Sequence, residues 1–181
     1  MDARDVRRWR GYSRPVAATT ITDVMRAYAD GTVAYARRTL GVDLDYSEQS
    51  LVEVDRVLDA YAGGERIDPK ELSPQDEEDV WTFCKMIGGY VGEVIARNLG
   101  GSWALRPLEG GGESVLIECG TIQGRPPDAV WEAVTTRSKR MTSYYRTLLV
   151  AIGRGTRSES GTAMQVSLPP LSTVPRRDPA R

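Results

Sequence analysis

A long helical pattern that contains three glycines constrains this chain more than any other feature. In KMIGGYVGEVIARNLGGSW, residues 85–103, apolar side chains recur every three or four positions, which indicates an amphipathic helix. Gly88, Gly89 and Gly92 lie inside the pattern. Each interior glycine costs about 1 kcal/mol relative to alanine, so we expect the absence of these side chains to serve close packing.

The ends of this helix are marked by clear signals. Ser73 is a good N-cap residue, Pro74 suits the first helical position and Asp76 places a negative charge in the first turn. Gly100 and the glycine after it mark the end. A helix between these limits has about 26 residues and is about 39 Å long. We therefore place it at the centre of the fold.

Small residues form one ridge along this helix. Cys84, Gly88, Gly92 and Ala96 are four positions apart and so lie on one side. A ridge without side-chain bulk lets another helix or a sheet approach closely. Such glycines also let a backbone approach a ligand, and that alternative stays open.

Two helices are predicted before the central one. The first spans about residues 21–40 with Thr20 as its N-cap. The second begins near Asp45, which together with Glu48 resembles a capping box, and ends at Gly63.

After the central helix, the apolar residues alternate with polar ones at a period of two. The segments Ser102–Leu108 and Ser114–Gly120 alternate as strands and predict a β-hairpin or a longer meander, with Pro107 indicating an edge position. A helix starting near Pro127 and an amphipathic helix over residues 141–152 follow.

These patterns predict an α+β fold with three N-terminal helices, a small antiparallel sheet and two C-terminal helices. Residues 20–153 form the single domain. Residues 1–19 are expected to be a basic irregular arm, and residues 154–181, rich in Ser, Pro, Gly and Arg, a disordered tail.

Composition excludes several chemistries. The chain has no histidine, which removes histidine-dependent nucleophiles, acid–base pairs and most catalytic zinc sites. Its two cysteines, Cys84 and Cys119, form no CxxC motif and are interpreted as small core residues. We predict no catalytic residue, no cofactor and no metal. The absence of a secretory signal or a long apolar run predicts a cytoplasmic protein that does not enter a membrane.

Polar residues converge on the apolar framework at one place. Glu93 and Arg97 are four apart, Asn98 points into the apolar face by helical periodicity, and Trp103 starts the first strand. These four residues are the predicted binding site, and a pocket is expected beside Asn98. The alternative for Glu93 and Arg97 is a structural ion pair. For Asn98 it is a structural hydrogen bond to exposed carbonyl groups or to the Gly100–Gly101 backbone.

The run YVGEVIARNLGGSW, with its core GEVIARNLGGSW, resembles a helix–turn–strand motif of small uncharacterised bacterial domains. The later run PPDAVWEAVTTRSKRMTSYYRTLL is similar to the segment that follows the motif in those domains. The resemblance covers about Leu51 to Leu149. It implies a shared α+β fold and transfers no activity and no catalytic residue.

Three functions remain in competition. The favoured one is a non-enzymatic protein-binding domain of a bacterium, of the immunity or adaptor type, whose partner is another protein. The second is a carboxylate-dependent enzyme with its pocket near Glu93 and Asn98. The third is nucleic-acid binding through the arginine-rich termini, which the net charge of −1 disfavours.

Overall fold

A computed structural model describes residues 20–61, 66–108 and 111–155. The predicted arm, residues 1–19, and residues 156–181 of the predicted tail lie outside these ranges. The elements in chain order are α1 (Ile21–Tyr35), α2 (Leu51–Tyr61), α3 (Pro74–Leu99), β1 (Ser102–Pro107), β2 (Glu113–Cys119), β3 (Ile122–Gly124), α4 (Pro126–Thr136) and α5 (Met141–Gly155). A π-helical turn, Ala36–Leu40, extends α1 to Gly41. The predicted α+β fold is confirmed.

The central helix forms as predicted. The side chain of Ser73 accepts a hydrogen bond from the Asp76 amide at 3.2 Å. The helix then runs unbroken for 26 residues until Gly100, whose φ of 73° ends it. Every residue from Met86 to Ile95 is buried, so α3 passes through the core and is surrounded by the other elements.

The three glycines of α3 are sites of close approach. A Cβ atom at Gly88 would lie 2.6 Å from the backbone of Pro127 at the start of α4, and one at Gly89 would lie 2.9 Å from the carbonyl oxygen of Met25 in α1. At Gly92 it would lie 2.1 Å from the ring of Trp103. The predicted close packing is confirmed, with a different neighbour at each glycine.

Helix α1 runs antiparallel to α3. The Nε atom of Arg26 lies 3.7 Å from the carboxylate of Glu93, and the Thr32 hydroxyl donates to the Met86 carbonyl at 2.9 Å. Residues later in α1 thus lie beside residues earlier in α3. The N-terminal end of α1 therefore lies beside the C-terminal end of α3, where β1 begins, and α1 contacts β1.

The sheet has three antiparallel strands in the order β1–β2–β3. Trp103 pairs with Ile117, and Ile117 pairs with Gly124. Pro107 lies on β1, an edge strand, as predicted. The sequence did not distinguish β3, because three residues are too few to show an alternating pattern.

The predicted start of the second helix at Asp45 is wrong. The Asp45 carboxylate accepts from the amide and the hydroxyl of Ser47 at 2.9 Å and 2.6 Å, which closes a turn. Tyr46 has a φ of 63°, and its amide donates to the Tyr90 hydroxyl at 2.9 Å. A left-handed residue interrupts helical geometry, so α2 begins only at Leu51.

A carboxylate from α2 caps α5. Buried Asp55 accepts from the Met141 amide at 2.6 Å, from the Thr142 amide at 3.3 Å and from the Thr142 hydroxyl at 2.8 Å. These amides belong to the first turn of α5 and have no partner within the helix. One side chain therefore joins the N-terminal and C-terminal helices.

Both cysteines are expected to resist alkylation in the native protein. Burial raises the pKa of Cys84 well above that of a free thiol and also raises the pKa of Cys119, and only the thiolate is the nucleophile. Iodoacetamide labelling followed by mass spectrometry is expected to show reaction at Cys84 only at the rate of unfolding. Rapid labelling of Cys84 in the folded protein would contradict the buried position of this side chain.

Candidate functional site

A buried carboxylate forms the centre of the candidate site. Glu93 is 2% exposed, and its Oε1 atom accepts from the indole N–H of Trp103 at 3.0 Å. Its Oε2 atom lies 3.5 Å from Nε of Arg97 and 3.7 Å from Nε of Arg26. A buried charge needs such partners, and both oxygens of Glu93 have them.

The two arginines that neutralise Glu93 remain accessible. The side chain of Arg26 is 62% exposed and that of Arg97 is 48% exposed. The trio holds two positive charges and one negative charge, and the carboxylate of Asp30 lies nearby, bonded to the Tyr46 hydroxyl. Within the described ranges, no hydrogen bond uses the Nη atoms of either arginine, so these donors are available to a ligand.

A tyrosine supports one of the arginines. The guanidinium carbon of Arg97 lies 3.5 Å from the ring centroid of Tyr46. The Tyr46 hydroxyl donates to Asp30 at 2.8 Å, and its ring stacks on Tyr90 at a centroid distance of 4.9 Å. Burial, together with Asp30, raises the pKa of Tyr46, so its phenol stays protonated. We call Arg26, Arg97 and Tyr46 the arginine platform.

The prediction that Asn98 is buried is wrong. Asn98 is exposed, and its amide nitrogen donates to the carbonyl oxygens of Val94 at 2.8 Å and Tyr46 at 3.0 Å. The last turn of α3 extends beyond the core and meets the Tyr46 loop instead. Carbonyl oxygens are thus its partners, as one alternative predicted, but neither belongs to Gly100 or Gly101, and the amide also fixes the tyrosine of the platform.

The structure thus brings together three of the four predicted site residues, with Arg97 and Trp103 both in contact with the Glu93 carboxylate. Sequence reasoning missed Arg26, Asp30 and Tyr46. Arg26 and Asp30 are four apart on one helix face, a spacing typical of a solvated surface. Nothing in their spacing connects them with Glu93, because that contact depends on how α1 packs on α3.

The described residues also enclose a small cavity elsewhere. It has a volume of about 10 Å³ and is lined by Asp55, Asp59, Arg137, Arg140 and neighbours on α2 and α4. That space holds about one water molecule, which is far below the size of a substrate pocket. It does not adjoin Glu93, where the sequence predicted the pocket.

Comparison of the chain with protein families, curated proteins and solved structures finds no match. In the described part of the chain, no group of three or more His, Cys, Asp and Glu side chains could hold a metal ion. No helix in the same ranges is long and apolar enough to cross a bilayer. The arginine platform and the carboxylate beneath it are therefore the candidate functional surface.

Proposed function

We propose that this chain is a non-enzymatic protein-binding domain of a bacterium, of the adaptor or immunity type, and that it binds through the arginine platform. The observation that carries the proposal is the arrangement of one buried carboxylate, Glu93, beneath two exposed guanidinium groups. The partner is a protein that presents carboxylate side chains to Arg26 and Arg97.

The arrangement favours binding because the arginines are held in place before a partner arrives. A free arginine side chain loses about 0.5–1.5 kcal/mol of conformational freedom when an interface immobilises it. Here Glu93 restrains both guanidinium groups, and the ring of Tyr46 restrains that of Arg97. Arginine and tyrosine are also among the residues that contribute most to binding at protein interfaces.

The same contacts make Glu93 a poor general acid or base. Such a group needs an oxygen within hydrogen-bond reach of the reacting proton, whereas both Glu93 oxygens face protein donors. The amide of Asn98, the other residue of the enzyme hypothesis, is used by two carbonyl oxygens. These contacts support binding over carboxylate-dependent catalysis. The arginine-rich termini on which the nucleic-acid hypothesis rests lie outside the described residues.

Charge reversal of Arg97 is expected to weaken partner capture. The full chain carrying a tag is used as bait in a bacterial lysate, and the stoichiometric partner is identified and its Kd measured. We expect Arg97→Glu or Arg26→Glu to weaken binding about 10- to 100-fold, because like charges then face each other. Glu93→Gln, which keeps an acceptor for Trp103, is expected to weaken binding less.

The matched control is Arg56→Glu. Arg56 is also an exposed arginine, with 70% of its side chain accessible, and pairs with Glu53 on α2. Its reversal is expected to leave the Kd unchanged. Recovery of no stoichiometric partner, or equal losses for Arg56→Glu and Arg97→Glu, would refute the proposal.

A further inference from the structure

A residue with a strained backbone lies at the arginine platform. Tyr46 has a φ of 63°, in the left-handed region that a bulky side chain rarely adopts. Such strain costs free energy and persists only where surrounding contacts hold it. The contacts that hold Tyr46 therefore decide whether its ring stays beneath the guanidinium group of Arg97.

Helix α3 binds both backbone polar groups of Tyr46. The Tyr46 amide donates to the Tyr90 hydroxyl at 2.9 Å, and the Tyr46 carbonyl oxygen accepts from the Asn98 side chain at 3.0 Å. The rings of Tyr46 and Tyr90 also stack, with centroids 4.9 Å apart. Tyr90, Arg97 and Asn98 all belong to α3. One helix therefore carries both the guanidinium group and the contacts that place the tyrosine ring against it.

A buried serine fixes the direction of the Tyr90 hydroxyl. Tyr90 is 0% exposed and Ser50 is 6% exposed, and their hydroxyl oxygens are 2.6 Å apart. The single hydroxyl hydrogen of Ser50 is donated to the Ser47 carbonyl oxygen at 2.6 Å. Tyr90 is therefore the donor to Ser50, and its oxygen lone pairs are left to accept from the Tyr46 amide. The hydrogen bonds thus run in one direction, from the Tyr46 amide to the Ser47 carbonyl group.

We propose that Tyr90 is the positioning residue of the arginine platform, because its hydroxyl holds the strained Tyr46 so that the tyrosine ring supports Arg97. Tyr90 is fully buried and acts only through Tyr46. Its effect on partner binding rests on the proposed function, whereas its effect on the Arg97 side chain is a property of the chain alone. A change confined to the core is thus expected to disorder a surface on which no residue has been altered.

Nuclear magnetic resonance of the full chain tests the positioning without a partner. Protons above the face of an aromatic ring resonate upfield, so the Arg97 side chain reports its contact with Tyr46. Tyr90→Phe keeps the aromatic ring in the core and removes the hydroxyl alone. We expect the Arg97 side-chain resonances to move towards those of a solvated arginine. The Tyr46 amide is expected to exchange with solvent about tenfold faster, because it has lost its acceptor.

Two variants calibrate the resonance shift. Tyr46→Ala removes the ring itself and defines the Arg97 resonances without their aromatic contact. Tyr144→Phe removes the hydroxyl of another buried tyrosine, on α5, which lies against Gly124 of β3, and it is expected to leave the Arg97 resonances unchanged. Unchanged Arg97 resonances in Tyr90→Phe would overturn the proposal, and so would an equal shift in Tyr144→Phe.

Ser50→Ala provides an independent variant that leaves every aromatic ring in place. It removes the acceptor that orients the Tyr90 hydroxyl. We therefore expect a smaller shift of the Arg97 resonances in the same direction as in Tyr90→Phe. If Tyr90→Phe does not fold, Ser50→Ala decides the question, and the absence of a shift in that variant disproves the positioning.

Partner binding separates this inference from the proposed function. With the protein captured by the tagged chain as the probe, we expect Tyr90→Phe to weaken binding about 3- to 10-fold, because only molecules with an ordered platform bind fully. Tyr144→Phe is expected to leave the Kd unchanged. If Arg97→Glu weakens binding but Tyr90→Phe alters neither the resonances nor the Kd, the inference is wrong and the proposed function stands. If Tyr90→Phe shifts the resonances but Arg97→Glu leaves the Kd unchanged, the positioning is supported and the proposed function fails.

Discussion

Replacing Gly88 with alanine is expected to lower the free energy of unfolding by about 1–2 kcal/mol, after allowing for the helix preference of alanine. The new Cβ atom would lie 2.6 Å from the Cα and N atoms of Pro127. These are backbone atoms, so α4 as a whole must move away from α3, and overpacking of this kind costs about 1–3 kcal/mol. Urea denaturation followed by circular dichroism measures the change.

The matched control is expected to change the free energy of unfolding in the opposite direction. Gly153 is also helical, on α5, but a Cβ atom there meets nothing within 4 Å. Gly153→Ala is expected to raise the free energy of unfolding by up to about 1 kcal/mol, the intrinsic helix preference of alanine over glycine. If Gly88→Ala also stabilised the protein, the close approach of α4 to α3 would be disproved.

Removing the carboxylate of Asp55 is expected to have the second large effect. Asp55→Ala leaves the Met141 and Thr142 amides of α5 without their acceptor. A lost helix cap costs about 0.5–2 kcal/mol, and each buried donor left unsatisfied adds about 1–3 kcal/mol. We therefore expect a loss of about 3 kcal/mol in the free energy of unfolding, with faster hydrogen exchange in the first turn of α5.

Asp59 provides the control, one helical turn further along α2. Its carboxylate pairs with Arg137 at 3.3 Å and Arg140 at 2.6 Å, but 45% of its side chain is exposed. Exposed ion pairs contribute about 0–1 kcal/mol, so Asp59→Ala is expected to cost far less than Asp55→Ala. Asp55→Asn retains one acceptor oxygen and is expected to fall between them. Equal losses for Asp55→Ala and Asp59→Ala would show that Asp55 is no cap.

Local signals made most of the fold predictable. Thr20 and Asp23 form the reciprocal capping box that their spacing indicated, with both bonds at 3.1 Å. Ser73 caps α3 by accepting a hydrogen bond from the Asp76 amide. The glycines of α3 predicted close packing because each one lowers helix stability, and packing contacts are needed to compensate. The structure places α1, α4 and Trp103 against them.

The features that sequence reasoning missed depend on contacts between distant segments. Tyr46 adopts its positive φ because its amide bonds to the hydroxyl of Tyr90, and no local pattern encodes that bond. The periodicity of α3 predicted that Asn98 faces the core. The core does not extend to the last turn of the helix, so Asn98 is exposed. Arg26 reaches Glu93 only once α1 lies along α3, so the platform emerges from tertiary packing.

The contact between Asp55 and the Met141 amide spans 86 residues, and this separation has a consequence for synthesis on the ribosome. At about 5–20 residues per second, Asp55 is made about 4–17 s before its donor. During that interval the apolar side of α2 has no α5 to cover it. Cooperative folding must therefore wait until Thr142 has left the exit tunnel.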